Sequence, residues 1–158
     1  MKQWMIFIGG FLSFLAVTLM IVVIVAGNKP FTEAEQKAID QVKSGNLLTE
    51  VKQAYLYTNK QAAVTVIGED AEGKLKAVFV PTGKGDMKHA MLDGAVTAKQ
   101  ARELALGDTD VKDILHTKLG LEKDGPVWEV AFVDSDENLN YIYISAKDGK
   151  KWKQILNM

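Results

Sequence analysis

Apolar positions follow three different rhythms along the 158-residue chain. Residues 4–26 are an uncharged run dominated by Ile, Val, Leu, Phe and Met; beyond it come helical stripes and then strand-length stretches. At 1.5 Å per residue a helix over 4–26 spans about 34 Å, enough to cross a ~30 Å hydrocarbon core. A cleaved secretory signal would have an apolar region of about 7–15 residues and a small-x-small cleavage site. Here Ile24, Val25 and Ala26 precede Gly27, with a bulky residue where a small one is wanted. Residues 1–27 are therefore expected to be an uncleaved transmembrane signal-anchor in the lipid bilayer. Positive charges on its two sides nearly balance, but a three-residue flank is easily kept inside and a following domain translocates largely regardless of charge. The expected arrangement is a single-pass cell-membrane protein, N-terminus cytoplasmic and residues 28–158 extracytoplasmic. Gly9 and Ser13 form a small-xxx-small pair, a candidate for packing against another membrane helix. Gly27-Asn28 and Pro30 are expected to end the helix and so to leave a short joint to the outer part.

The outer part states one pattern twice. Thr32-Glu33-Ala34-Glu35 has the form of a capping box, and Ala34, Ala38, Ile39 and Val42 follow at helical spacing. Sixty-five residues later Thr97-Ala98-Lys99-Gln100 repeats the box, with Val96 as staple and Ala101, Leu104 and Ala105 as the apolar stripe. Strand-like runs then occupy 51–58, 62–69 and 74–81 in the first half, and 114–121, 127–134 and 139–146 in the second. A short last strand is expected over 151–156. Each half reads as a helix followed by a three- or four-stranded antiparallel meander, an α+β arrangement. The expected domains are 28–86 and 87–158, with Gly83-Lys84-Gly85-Asp86 opening the joint. Halves of about 60 residues are marginal alone, so they should share an interface.

Charge and composition narrow the chemistry. Nineteen basic and twenty acidic groups leave a net charge of −1, which argues against nucleic-acid binding. The absence of cysteine removes disulfides, thiol nucleophiles and thiolate metal sites. His89 and His116 are the two imidazoles, far apart in sequence, and neither is read as a metal ligand or catalytic base. Ser44, Ser135 and Ser145 lie outside any Gly-x-Ser-x-Gly elbow. Asp134, Asp136 and Glu137 lack the glycine and the bidentate twelfth-position Glu of a calcium loop and read as a hairpin turn. Lys147, Lys150, Lys151 and Lys153 read as a solvated turn and edge strand, with contact to anionic lipid or wall polymer as the other reading. No enzyme and no cofactor is expected.

The second half resembles a PepSY domain. The resemblance is carried by the Thr97 helix start with its Ala-rich face, Val127-Trp128-Glu129-Val130, Tyr141-Ile142-Tyr143-Ile144, and the closing Lys147-Asp148-Gly149-Lys150. The first half fits less well: Ala63-Val64-Thr65-Val66 stands where the Trp-Glu-Val strand would be. The full arrangement, one membrane helix and two such modules, resembles the TseB (YpmB) family of Gram-positive bacteria. That resemblance implies two tandem cystatin-like modules and a non-enzymatic role in cell-wall elongation, exerted by contact with a penicillin-binding transpeptidase. Two other functions stay open: a protease-inhibitory module of the PepSY type, and a sensor whose sheet binds a peptide or wall fragment.

Strand alternation separates the faces of the second sheet. Trp128, Val130 and Phe132 share one face and Glu129 lies on the other, while Tyr141 and Tyr143 oppose Ile142 and Ile144. A helix covers one sheet face only, so the second must meet solvent, the sister module or a partner. Glu129, Tyr141 and Tyr143 are the candidate interaction residues, with lining of the intermodule core as the alternative.

Overall fold

A computed structural model describes residues 4, 11, 13–18, 32–59, 61–107 and 109–158. It divides into two units, Met1–Thr32 and Glu33–Met158. In the first, residues 13–18 are helical and exposed, and the Thr18 hydroxyl donates to the Phe14 carbonyl at 2.8 Å. Among the described residues no helix is long and apolar enough to cross a membrane. Most of the span expected over 4–26 lies outside the described residues, as does Gly9; Ser13 is helical and exposed.

The second unit is α+β, with the expected repeat. Helix α1 (Glu33–Ser44) precedes strands β1 (Glu50–Thr58), β2 (Ala62–Glu69), β3 (Leu75–Pro81) and β4 (Lys88–Met91). Helix α2 (Ala98–Leu106) precedes β5 (Val111–Glu122), β6 (Gly125–Asp134), β7 (Leu139–Ser145) and β8 (Lys151–Ile155). The strands form two separate antiparallel meanders, β1-β2-β3-β4 and β5-β6-β7-β8. Strand β4 is a correction to the sequence reading. It pairs Ala90 with Ala77 and His89 with Val78, so residues placed beyond the 86/87 boundary belong to the first sheet. Its sequence, Lys-His-Ala-Met, has no alternation that marks a strand; pairing with β3 makes it one.

Each helix rests on its own sheet. Helix α1 buries Ala38, Ile39 and Val42 against β1 and β2, where Val64 and Val66 are buried in register with Val80 and Val78. At α2 the capping box forms as spaced: the Gln100 amide N–H donates to the Thr97 hydroxyl and the Gln100 side chain accepts from the Thr97 N–H. Ala101 and Ala105 are buried, but Leu104 is 51% exposed and leaves the expected stripe. A helix of nine residues facing the core with alanines has a narrow buried stripe, and Leu104 falls beyond its edge.

One core joins the two modules. It runs from Ile67, Ala77 and Phe79 of the first sheet through Ala101 and Ala105 of α2 to Trp128, Val130 and Phe132 of the second sheet. Three polar contacts fix the junction at β5. The Leu119 N–H donates to the Tyr55 hydroxyl at 2.8 Å, and the buried Thr65 hydroxyl donates to the Leu119 carbonyl at 2.8 Å. The Tyr57 hydroxyl donates to Glu122 at 3.3 Å. Gly120 makes the approach possible: a Cβ there would lie 2.1 Å from the Tyr57 ring. The first sheet is thus covered by α1 on one face and by the second module on the other.

Candidate functional site

The second sheet packs one face on the intermodule core and carries a groove on the other. Trp128, Val130, Phe132, Ile142 and Ile144 point to the core, and the Trp128 indole N–H donates to the Val96 carbonyl at 2.6 Å. The opposite face is set by the β5–β6 hairpin register, which pairs Lys118 with Glu129 and His116 with Ala131. In β7 it continues through Tyr143 beside Glu129 and Tyr141 beside Ala131. Lys153 and Ile155 of β8 complete the row beside Tyr143 and Tyr141. The C-terminus is tied to its rim by reciprocal backbone bonds between Met158 and Leu139, at 3.1 and 3.2 Å.

From this face His116, Lys118, Glu129, Tyr141, Tyr143 and Ile155, with Met158 and with Leu56, Tyr57 and Thr58 of β1, line a groove of about 460 Å³. The structure brings Glu129, Tyr141 and Tyr143 together there. They are neither a flat exposed patch nor part of the intermodule core: Glu129 and Tyr143 are buried in the floor and Tyr141 is half-buried.

Glu129 organises the floor. His116 Nε2 lies 2.8 Å from Glu129 Oε1, within hydrogen-bond distance. Burial, followed by a hydrogen bond to the Glu129 carboxylate, holds the Tyr143 phenol well above its ordinary range. Burial and then the Glu129 charge do the same to Tyr57. Burial pushes the Tyr55 hydroxyl up to about 12, partly opposed by the bond it accepts from Leu119. The rings also pack on one another: Tyr143 meets Trp152 edge-on at 6.0 Å, and Lys153 Nζ lies 5.6 Å from the Tyr143 ring centre. Lys118 donates to the Leu56 carbonyl at 3.1 Å, a further tie between the modules.

His116 and Lys118 are site residues that the sequence reading did not assign. The signal was present, since a two-residue hairpin loop fixes register and so puts both on the face of Glu129. None of the serines lines this groove. Ser44 donates to Gln41 and Ser135 to Asp110, while Ser145 bonds Asp148. Among the described residues no group of three or more His, Asp or Glu is placed to hold a metal ion. The acidic run at 134–137 is a hairpin turn: Asp134 accepts from the side chain of Asn140 and the backbone N–H groups of Asn138 and Asp136, which keeps its carboxyl below the usual range. His89 is exposed on β4, away from this groove.

A family model described as a cell wall elongation regulator TseB-like domain matches residues 37–81. A second, PepSY, described as a peptidase propeptide and YPEB domain, matches residues 95–152. The chain is a TseB-like, PepSY-containing protein. The boundary between the two matches agrees with the sheets, because β4 ends before residue 95. The YpmB protein from Bacillus subtilis has the same fold as this TseB-like chain. Its solved structure matches with a TM-score of 0.68 at 22% sequence identity, over 80% of this chain and 99% of that one. No curated protein sequence matches. The two domain types together fit a family of cell-wall elongation regulators and suggest a non-catalytic role.

Proposed function

We propose that this chain is a non-enzymatic, single-pass membrane protein that regulates cell-wall elongation by docking its extracytoplasmic modules onto a penicillin-binding transpeptidase. The apolar run 4–26 supports the anchor, and the TseB-like module supports the link to wall elongation. The observation that carries docking is the second sheet's uncovered face, where Tyr141 stands over a floor of Glu129, His116 and Tyr143. An aromatic anchor beside a groove with a fixed polar floor is the kind of surface on which a few residues dominate partner binding. Gly9 and Ser13 offer a second contact, within the membrane, for the same partner.

In-cell crosslinking of the full-length protein tests the reading, alongside a version with residues 1–27 replaced by an unrelated membrane helix. Recovery of a penicillin-binding protein by both, and its loss in Tyr141→Ala with an unchanged melting temperature, is the expected result. Capture by the native helix alone would move the contact to the Gly9 and Ser13 region. Undiminished capture by Tyr141→Ala would reject the groove as the docking face. The PepSY match favours a second reading, restraint of a peptidase. A protease recovered without any wall enzyme would put that reading first.

A further inference from the structure

A second cavity lies at the junction of the modules, on the other side of Tyr57, with a volume of about 560 Å³. That is within the range of small-molecule and peptide sites, which favour such junctions. Its floor is apolar, formed by Ala63 and Phe79 of the first sheet and Leu121 of the second. The Asn59 and Gln61 side chains stand at the β1–β2 turn, each an amide able to donate and accept. Around the mouth are Lys84, Lys88 and Lys123, all exposed, and none has an ion-pair partner among the described residues. Two acids also line the cavity. Glu122 accepts from the neutral Tyr57 and Asn59, so three ammonium groups stand against two carboxylates, Glu122 and Asp86, and the lining keeps a net positive charge.

We infer that this intermodule cleft binds a short acidic peptide segment, its carboxylates meeting Lys84, Lys88 and Lys123 and one apolar side chain seated on Phe79 and Leu121. The excess of unpaired positive charge selects an anion. The apolar floor and the two amides favour a peptide over a bare polyanion, since a peptide presents both a side chain to bury and backbone groups to bond and a bare polyanion presents neither. The inference does not rest on transpeptidase docking, which uses the other groove.

Binding to the full-length protein in detergent micelles can be measured with three probes. These are the blocked pentapeptide Glu-Ala-Leu-Ala-Glu, its counterpart Lys-Ala-Leu-Ala-Lys, and inorganic polyphosphate. The acidic peptide should bind saturably, weaken as salt is raised, and lose at least tenfold in affinity in the variant Lys84→Glu/Lys88→Glu/Lys123→Glu. The basic peptide should bind at least tenfold more weakly than the acidic one. All three lysines are exposed, so the variant should melt with the wild type, and Lys84→Gln/Lys88→Gln/Lys123→Gln should fall between the two in affinity. Equal binding of both peptides, or none of the acidic one, overturns the inference. So does polyphosphate displacing the peptide at equal charge. Acidic-peptide binding that survives the lysine reversal but is lost in Tyr141→Ala would place the ligand in the other groove and also overturn it.

Discussion

The two sheets have the same strand order and the same preceding helix, yet their faces end differently. In the first sheet both faces are covered. Val64 and Val66 lie on the α1 side, and Thr65 and Ile67 meet the second module. In the second sheet Phe132 and Ile144 are buried against the core, while the reverse face carries Glu129, Tyr141 and Tyr143 in an open groove. The cause is stacking order: the first sheet's inner face and the second sheet's core face pack into one shared core, and the reverse face of the second sheet lies outside it. A tandem repeat of one-helix modules therefore leaves one unshared sheet face, and the functional reading follows that face.

The largest expected effect sets the two faces of the second sheet against each other. Phe132→Ala empties a site that is 1% exposed and should cost about 3–5 kcal/mol of stability. Tyr141→Ala, on the half-buried open face, should cost under about 1 kcal/mol. Chemical denaturation of both variants checks this. Similar losses would mean the open face is as much a core as the covered one, and the comparison would fail.

Next in size is the seam that closes the first sheet's inner face. In Gly120→Ala the new Cβ meets the Tyr57 ring, a collision of the overpacking kind that typically costs about 1–3 kcal/mol. Most of that cost should vanish in a Tyr57→Ala background, because the clash has a single named partner. An additive double mutant would show that the strain lies elsewhere in β5.

A smaller and local effect belongs to α2. Thr97→Ala removes the hydroxyl that accepts from Gln100 and should cost about 0.5–2 kcal/mol, read from the shift in denaturation midpoint. This cap is the kind of feature that was fully legible in the sequence, because its atoms are three residues apart. The strand spans of the two meanders were legible for the same reason, each being a local run between turn signals. Three features were not. Strand β4 takes its conformation from β3, fifteen or fewer residues away but with no pattern of its own. The bulge between Ile114 and His116 shifts the register at the start of β5, and a bulge leaves no apolar periodicity to read. The Tyr55, Tyr57 and Thr65 contacts with Leu119, Gly120 and Glu122 span 54 to 65 residues, and nothing local specifies them. Alternation alone placed Glu129 and Tyr143 on a face; the depth of the groove came from β1 of the other module.

The finest test of the covered-versus-open contrast uses alkaline pH. Tyr55 ties the covered face to Leu119, and burial raises its phenol from about 10 when unfolded to about 12 when folded. The folded state therefore holds the proton more tightly. The stability this confers is complete below pH 10, declines as the unfolded phenol ionises, and is lost as pH rises through about 12. Tyr57 and Tyr143 are raised in the same direction by burial, so Tyr55→Phe should remove only part of the decline. Denaturation midpoints should fall less steeply between pH 10 and 12 in Tyr55→Phe than in the wild type, with the two profiles parallel between pH 7 and 9. Parallel profiles across the whole range would mean that the Tyr55 phenol holds its proton equally in the folded and unfolded states, and that burial in the seam does not act on it.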